Sequence, residues 1–150
     1  MGGGKDPDNR RAFPGGFPGD AHDAFTAAGR TATQNAVFNW TSGLLKLRAA
    51  EPALQAGVEQ NLFADADGFA FVRTLAPEGC VADHNREELL IVVNKAARLK
   101  PFTLPTAGTA LDGCRDFRVL APTHGGPATL AGGALHLEES AQSLTIYAVR

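Results

Sequence analysis

The stretch Leu89-Leu-Ile-Val-Val93 is apolar at every position, so a strand running through it has no polar face for solvent and must lie inside a sheet covered on both sides. Reading outward from it, the 150-residue chain breaks up beyond Gly57 into apolar runs separated by Gly, Pro and Asp turns. The candidate strands are 58–64, 69–76, 88–95, 100–104, 115–121, 134–138 and 142–149. Between the first two, Asp65-Ala-Asp67-Gly68 carries the Asp-Gly signature of a tight hairpin. In the last run Leu144, Ile146 and Ala148 alternate with Thr145, Tyr147 and Val149, which gives that strand two unlike faces. Seven short strands joined in this way predict a mainly β protein, an antiparallel β-sandwich of two sheets.

On the N-terminal side the period changes. Thr31-Ala-Thr-Gln34 matches a capping box, in which the Thr hydroxyl takes an early helical amide and the Gln reaches back. Val37, Trp40, Leu44 and Leu47 then recur at three- and four-residue steps, and Arg48 precedes a stop at Pro52, so the spacing predicts a helix over 33–50. Pro52 to Gly57 reads as a terminating turn. Upstream, Met1 to Ala32 is punctuated by Gly and Pro and fits no regular element, yet Phe13, Phe17 and Phe25 set it apart from a solvated tail. The expected division is residues 1–56, a loop and one helix, and 57–150, the sandwich.

Charge narrows the partners. Fourteen basic and sixteen acidic residues leave a net charge of -2 and no basic run, which argues against a nucleic acid held through its phosphates. No window approaches a membrane span, and the chain as given carries no targeting address, which leaves its compartment unknown. Cys80 and Cys114 read first as buried thiols and second as a bridge, since sequence supplies no distance between them.

Most chemical constellations fail on spacing. Gly2-Gly-Gly-Lys5 lacks the spacing of a phosphate cradle, and Asp6-Pro-Asp8-Asn9-Arg10 puts Arg where a calcium loop needs an oxygen donor. Asp65 and Asp67 are a hairpin turn, and His22, His84, His124 and His136 have no paired ligand spacing, so no metal and no cofactor is expected. Ser42, Ser140 and Ser143 lack a nucleophile elbow. Glu87-Glu88 opens a strand and is expected to point into solvent. What remains is Asp6 and Arg10, four residues apart around Pro7, with the Phe-Pro-Gly-Gly-Phe run beside them. A carboxylate and a planar guanidinium suit vicinal hydroxyls, and aromatic faces suit the apolar side of a sugar ring. The same two residues could equally pair with each other and organise the loop.

Three segments carry a family resemblance: Gly3-Gly-Lys-Asp-Pro-Asp-Asn-Arg-Arg11, Phe13-Pro-Gly-Gly-Phe-Pro-Gly-Asp20 and Ala24-Phe-Thr-Ala-Ala-Gly-Arg-Thr31. Together they resemble the stretch after the last catalytic region in the alpha-amylase superfamily, glycoside hydrolase family thirteen, on its neopullulanase and cyclomaltodextrinase branch. Leu44-Leu-Lys-Leu-Arg48 with Pro52-Ala-Leu54 is similar to that family's last barrel helix, and Leu89 to Asn94 to a strand of its C-terminal sandwich. The resemblance implies that Asp6 and Arg10, matching Asp-Pro-x-x-Arg, contact glucose units of an alpha-glucan or maltooligosaccharide. Ala12 stands where the branch carries Asp, which removes the carboxylate of a local salt bridge or sugar contact.

The resemblance also implies that the family's two catalytic carboxyls and its transition-state-stabilising Asp belong to earlier barrel strands. Retaining glycoside hydrolysis needs two carboxyls ~5–5.5 Å apart on a rigid scaffold. The chain is therefore expected to be a catalytically silent C-terminal piece of an alpha-1,4-glucan-cleaving enzyme, the remnant of an incomplete (β/α)8 barrel followed by its sandwich, with the missing barrel as its partner. A free-standing carbohydrate-binding sandwich is the alternative. In the first case the helix stripe of Val37, Trp40, Leu44 and Leu47 loses its barrel neighbours.

Overall fold

A computed structural model of the chain describes residues 13–75, 80, 88–120 and 127–150. It contains two compact units, Met1–Leu45 and Lys46–Arg150. The first holds an irregular loop and most of helix α1 (Ala32–Ala50). The helix starts as its sequence dictates: the Thr31 hydroxyl accepts from the Gln34 amide at 3.2 Å, and the Gln34 side chain accepts from the Thr31 amide at 2.8 Å. No residue of α1 is buried; Val37 is 60% and Leu45 62% exposed.

The second unit begins with the end of α1. The Arg48 guanidinium donates to the Leu54 carbonyl, fastening the short helix α2 (Pro52–Ala56) behind it. Gly57 then turns the chain into the sandwich, where an added Cβ would sit 2.5 Å from the Ala53 carbonyl oxygen. Among the described residues eight strands follow: β1 (Val58–Ala64), β2 (Gly68–Thr74), β3 (Glu88–Asn94), β4 (Lys100–Pro105), β5 (Phe117–Val119), β6 (Thr129–Ala131), β7 (Ala134–Glu139) and β8 (Ser143–Val149). They pair antiparallel in two sheets, ordered β1-β2-β3-β8-β5 and β4-β7-β6. β3 lies third of five, and Leu89 to Val92 are at most 4% exposed, as an all-apolar strand demands.

The core forms where the sheets face each other. Ala70, Val72, Leu90, Val92 and Val149 from one sheet meet Phe102, Leu104, Leu135 and Leu137 from the other. The β1–β2 hairpin turns on Asp65, whose Oδ1 accepts from the Asp67 and Gly68 amides at 2.8 and 2.6 Å while Oδ2 accepts from Lys100 Nζ at 2.7 Å. The Lys100 ammonium and these amides hold the Asp65 carboxyl below its ordinary range. Among the described residues no group of three metal-ligating side chains converges, and no helix is long and apolar enough to cross a membrane.

Three readings of the sequence are corrected. Glu88 does not face solvent: it is 2% exposed, because it shares the inward register of Leu90 and Val92 along β3, while Glu87 lies outside the described residues. Cys80 and Cys114 are not thiols but a disulfide, with Cα atoms 5.0 Å apart and 34 residues between them in sequence. Closing a loop of that length contributes ~3–4 kcal/mol in chain-entropy terms. Among the described residues there are also eight strands rather than seven; the extra one, β6, is three residues long and turns into β7 through Gly132-Gly133, both at positive φ (59° and 77°).

The two faces of β8 also differ in an instructive way. Thr145 and Tyr147, the more polar set, point into the core at 0% and 1% exposure. Waiting there is Glu139, fully buried at the end of β7. Its carboxylate accepts from Thr145 Oγ1 at 2.7 Å, Ser143 Oγ at 3.1 Å and Tyr147 Oη at 3.1 Å. Asn94 on β3 donates through Nδ2 to the Glu139 and Ser140 carbonyls at 3.1 and 2.7 Å. A buried carboxylate is tolerated only when hydrogen-bonded in this way, and the bonds run from one sheet to the other.

Candidate functional site

Asp6 and Arg10 lie outside the described residues, as does Ala12. The part of the loop that follows them is described from Phe13 and forms an ordered scaffold for three phenylalanines. Gly15 adopts φ 104°, and its amide and that of Phe17 donate to Asp20 Oδ2 at 2.7 and 3.1 Å. Those two amides pull the Asp20 carboxyl below its ordinary value. Pro14 and Pro18 limit the remaining freedom of this turn. Ala24, 4% exposed, donates its amide to the Pro14 carbonyl at 3.1 Å and brings Phe25 against Phe13, ring centroids 4.8 Å apart.

Arg30 ties this loop to the helix. Its guanidinium lies 3.8 Å from the centroid of the Phe38 ring, with Nη1 donating to the Ala24 carbonyl at 3.0 Å and Nε to Asn35 Oδ1 at 2.9 Å. Asn35 in turn donates to the Ala27 carbonyl at 2.9 Å. Phe13, Phe17 and Phe25 remain 58%, 67% and 65% exposed. Three rings on a hydrogen-bonded loop thus present apolar surface to solvent. The sequence singled out the phenylalanines; it did not reveal that Arg30 fastens the Ala24 and Phe25 carbonyls to the helix, because that role depends on contacts across the loop.

The sandwich offers a concavity, a groove of about 270 Å³ between the 106–115 loop and the β6–β7 hairpin. Its wall includes Thr106, Leu111, Cys114, Leu130 and Ala134, and its one charged lining residue is Arg115. Among the described residues no carboxylate lines it.

No protein-family model matches the chain, and no curated protein matches it. Solved structures do. The trehalulose synthase MutB of Pseudomonas mesoacidophila is similar with a TM-score of 0.54 and 30% identity, over 76% of this chain and 18% of the synthase chain. A debranching enzyme of Nostoc punctiforme gives a TM-score of 0.61 at 24% identity, over 82% of this chain and 24% of its own. Both are enzymes of the alpha-amylase family, glycoside hydrolase family thirteen. The fold is the C-terminal β-sandwich of amylase-family enzymes. The chain spans about a fifth of the length of the enzymes it matches, 18% and 24% of theirs. MutB has been crystallised with glucose and with sucrose, and the debranching enzyme soaked with acarbose.

Proposed function

We propose that this chain is the non-catalytic C-terminal part of an alpha-glucan-hydrolysing enzyme of the amylase family, neopullulanase- or cyclomaltodextrinase-like, acting on alpha-1,4-glucosidic bonds. In this reading residues 1–56 are the tail end of the barrel domain and 57–150 its sandwich. Asp6 and Arg10 contact glucose units, and the phenylalanines that follow line the same sugar subsites. The observation that carries the reading is the 30% identity to MutB over 76% of this chain, confined to 18% of that enzyme. The exposed apolar side chains of α1 agree with it, since Val37 and Leu45 suit a helix that packs against further barrel elements. Phe69 and Phe71, side by side at 5.1 Å on the face of β2 turned away from Ala70 and Val72, likewise suit a sheet that rests on a barrel flank.

Calorimetric titration with maltooligosaccharides tests the site. The full chain is expected to bind them weakly, and Asp6→Ala or Arg10→Ala to abolish the heat. Undiminished binding by residues 57–150 alone would instead favour a carbohydrate-binding sandwich module.

A further inference from the structure

We infer that the Cys80–Cys114 bond is a permanent structural tie of the sandwich, installed in an oxidising compartment, and not a reversible redox switch. Two observations carry this. Both residues lie in the core cluster, 3% and 2% exposed, beside Ala110 and Leu111. Reduction requires a thiolate to reach one of the two sulfurs, and at 3% and 2% exposure both residues present almost no surface to it, Cys114 at the wall of the groove included. The backbone on both sides is also fixed: the Cys80 amide donates to the Asp112 carbonyl at 3.1 Å and the Cys114 amide to the Leu111 carbonyl at 3.1 Å.

The position of the bond adds the second argument. The loop it closes runs through β3 of the five-stranded sheet and β4 of the three-stranded one, so a single covalent link restrains a strand from each layer. It also anchors the 106–115 loop, which Thr106 Oγ1 joins to the Gly133 carbonyl at 2.8 Å and Gln60 Oε1 joins to β1 by accepting from the Ala110 amide at 2.6 Å. Disulfides of this kind persist in secreted, periplasmic or luminal proteins and are rare in a reducing cytosol. Forming the bond removes two protons and two electrons from the thiols. A disulfide-exchanging oxidoreductase accepts both, its own disulfide becoming a dithiol.

The test compares the full chain exported to an oxidising compartment with the same chain made in a reducing cytosol. Each is unfolded in iodoacetamide without reductant and weighed intact. The exported chain is expected to take up no alkyl group and to yield a linked peptide pair containing Cys80 and Cys114. Folded exported chain held in glutathione is expected to lose the bond roughly tenfold or more slowly than chain unfolded in denaturant. The thiol form is expected to melt roughly 10 °C lower than the linked form. Two alkyl groups on the exported chain would overturn the inference, as would equal reduction rates of folded and unfolded chain or equal melting of the two forms.

Discussion

Tyr147 on β8 donates its phenolic hydrogen to Glu139 Oε1 at 3.1 Å, so one strand of the five-stranded sheet is bonded to the buried carboxylate that ends a strand of the other. Thr145 and Ser143 donate to the same carboxylate at 2.7 and 3.1 Å. Tyr147→Phe removes one donor from a carboxylate with no access to water and is expected to cost about 1–3 kcal/mol. Glu139→Leu is the informative partner, because it removes the acceptor shared by the Thr145 and Tyr147 hydroxyls while Ser143 Oγ keeps the Ser140 carbonyl at 2.7 Å, and it is expected to cost more than Tyr147→Phe. Urea unfolding of the two variants against the parent measures both; an unchanged midpoint for Tyr147→Phe would show that the bond contributes nothing.

Burial, and then the neighbouring Glu139 carboxylate, push the Tyr147 phenol well above its ordinary value. Because the folded state holds this proton more tightly than the unfolded chain, the stability it confers is constant below about pH 10 and falls as pH rises beyond that. Thermal melts between neutral pH and about pH 11 are expected to show a decline that Tyr147→Phe makes shallower. A parent and variant with parallel alkaline profiles would contradict the assignment.

Asp20 acts in the opposite direction. Its carboxyl is held low by the Gly15 and Phe17 amides, so the order it gives the aromatic loop is present at neutral pH and lost as pH falls below about 4. The protection of the Gly15 and Phe17 amides, measured against their intrinsic exchange rates at each pH, is expected to fall with acidification, and Asp20→Ala to show the lower protection already at neutral pH. Slow exchange in that variant would mean that the prolines alone order the turn.

Helix α1 has no buried residue, with Val37, Phe38 and Leu45 at least half exposed. Such a face on an isolated chain favours self-association. Sedimentation velocity is expected to show mass rising with concentration, and Val37→Glu with Leu45→Glu to restore a monomer. A parent chain that stays monomeric throughout would remove the helix as a packing face.

Much of this architecture was written in local pattern. Thr31 and Gln34 announced the helix start, the unbroken apolar run at Leu89 to Val93 announced a central strand, and Asp65 with Gly68 announced their hairpin. These signals depend on neighbours a few residues apart. The misses depend on distant ones. Glu88 looked solvated because a charged residue at a strand mouth usually is, and only the register with Leu90 and Val92 turns it inward. The pairing of Cys80 with Cys114 needed a distance across the fold, and β6 was too short for any period to register. In the aromatic loop Phe13, Phe17 and Phe25 were legible as candidates, whereas the hold exerted by Arg30 required knowing that Phe38 lies beneath it.

The central claim is that this chain supplies sugar contacts and support but not the chemistry of cleavage. Reducing-end release from soluble starch, pullulan and cyclodextrin by the purified 150-residue chain tests it most directly. The account predicts no release above the buffer blank; sustained turnover that co-purifies with the chain would contradict it.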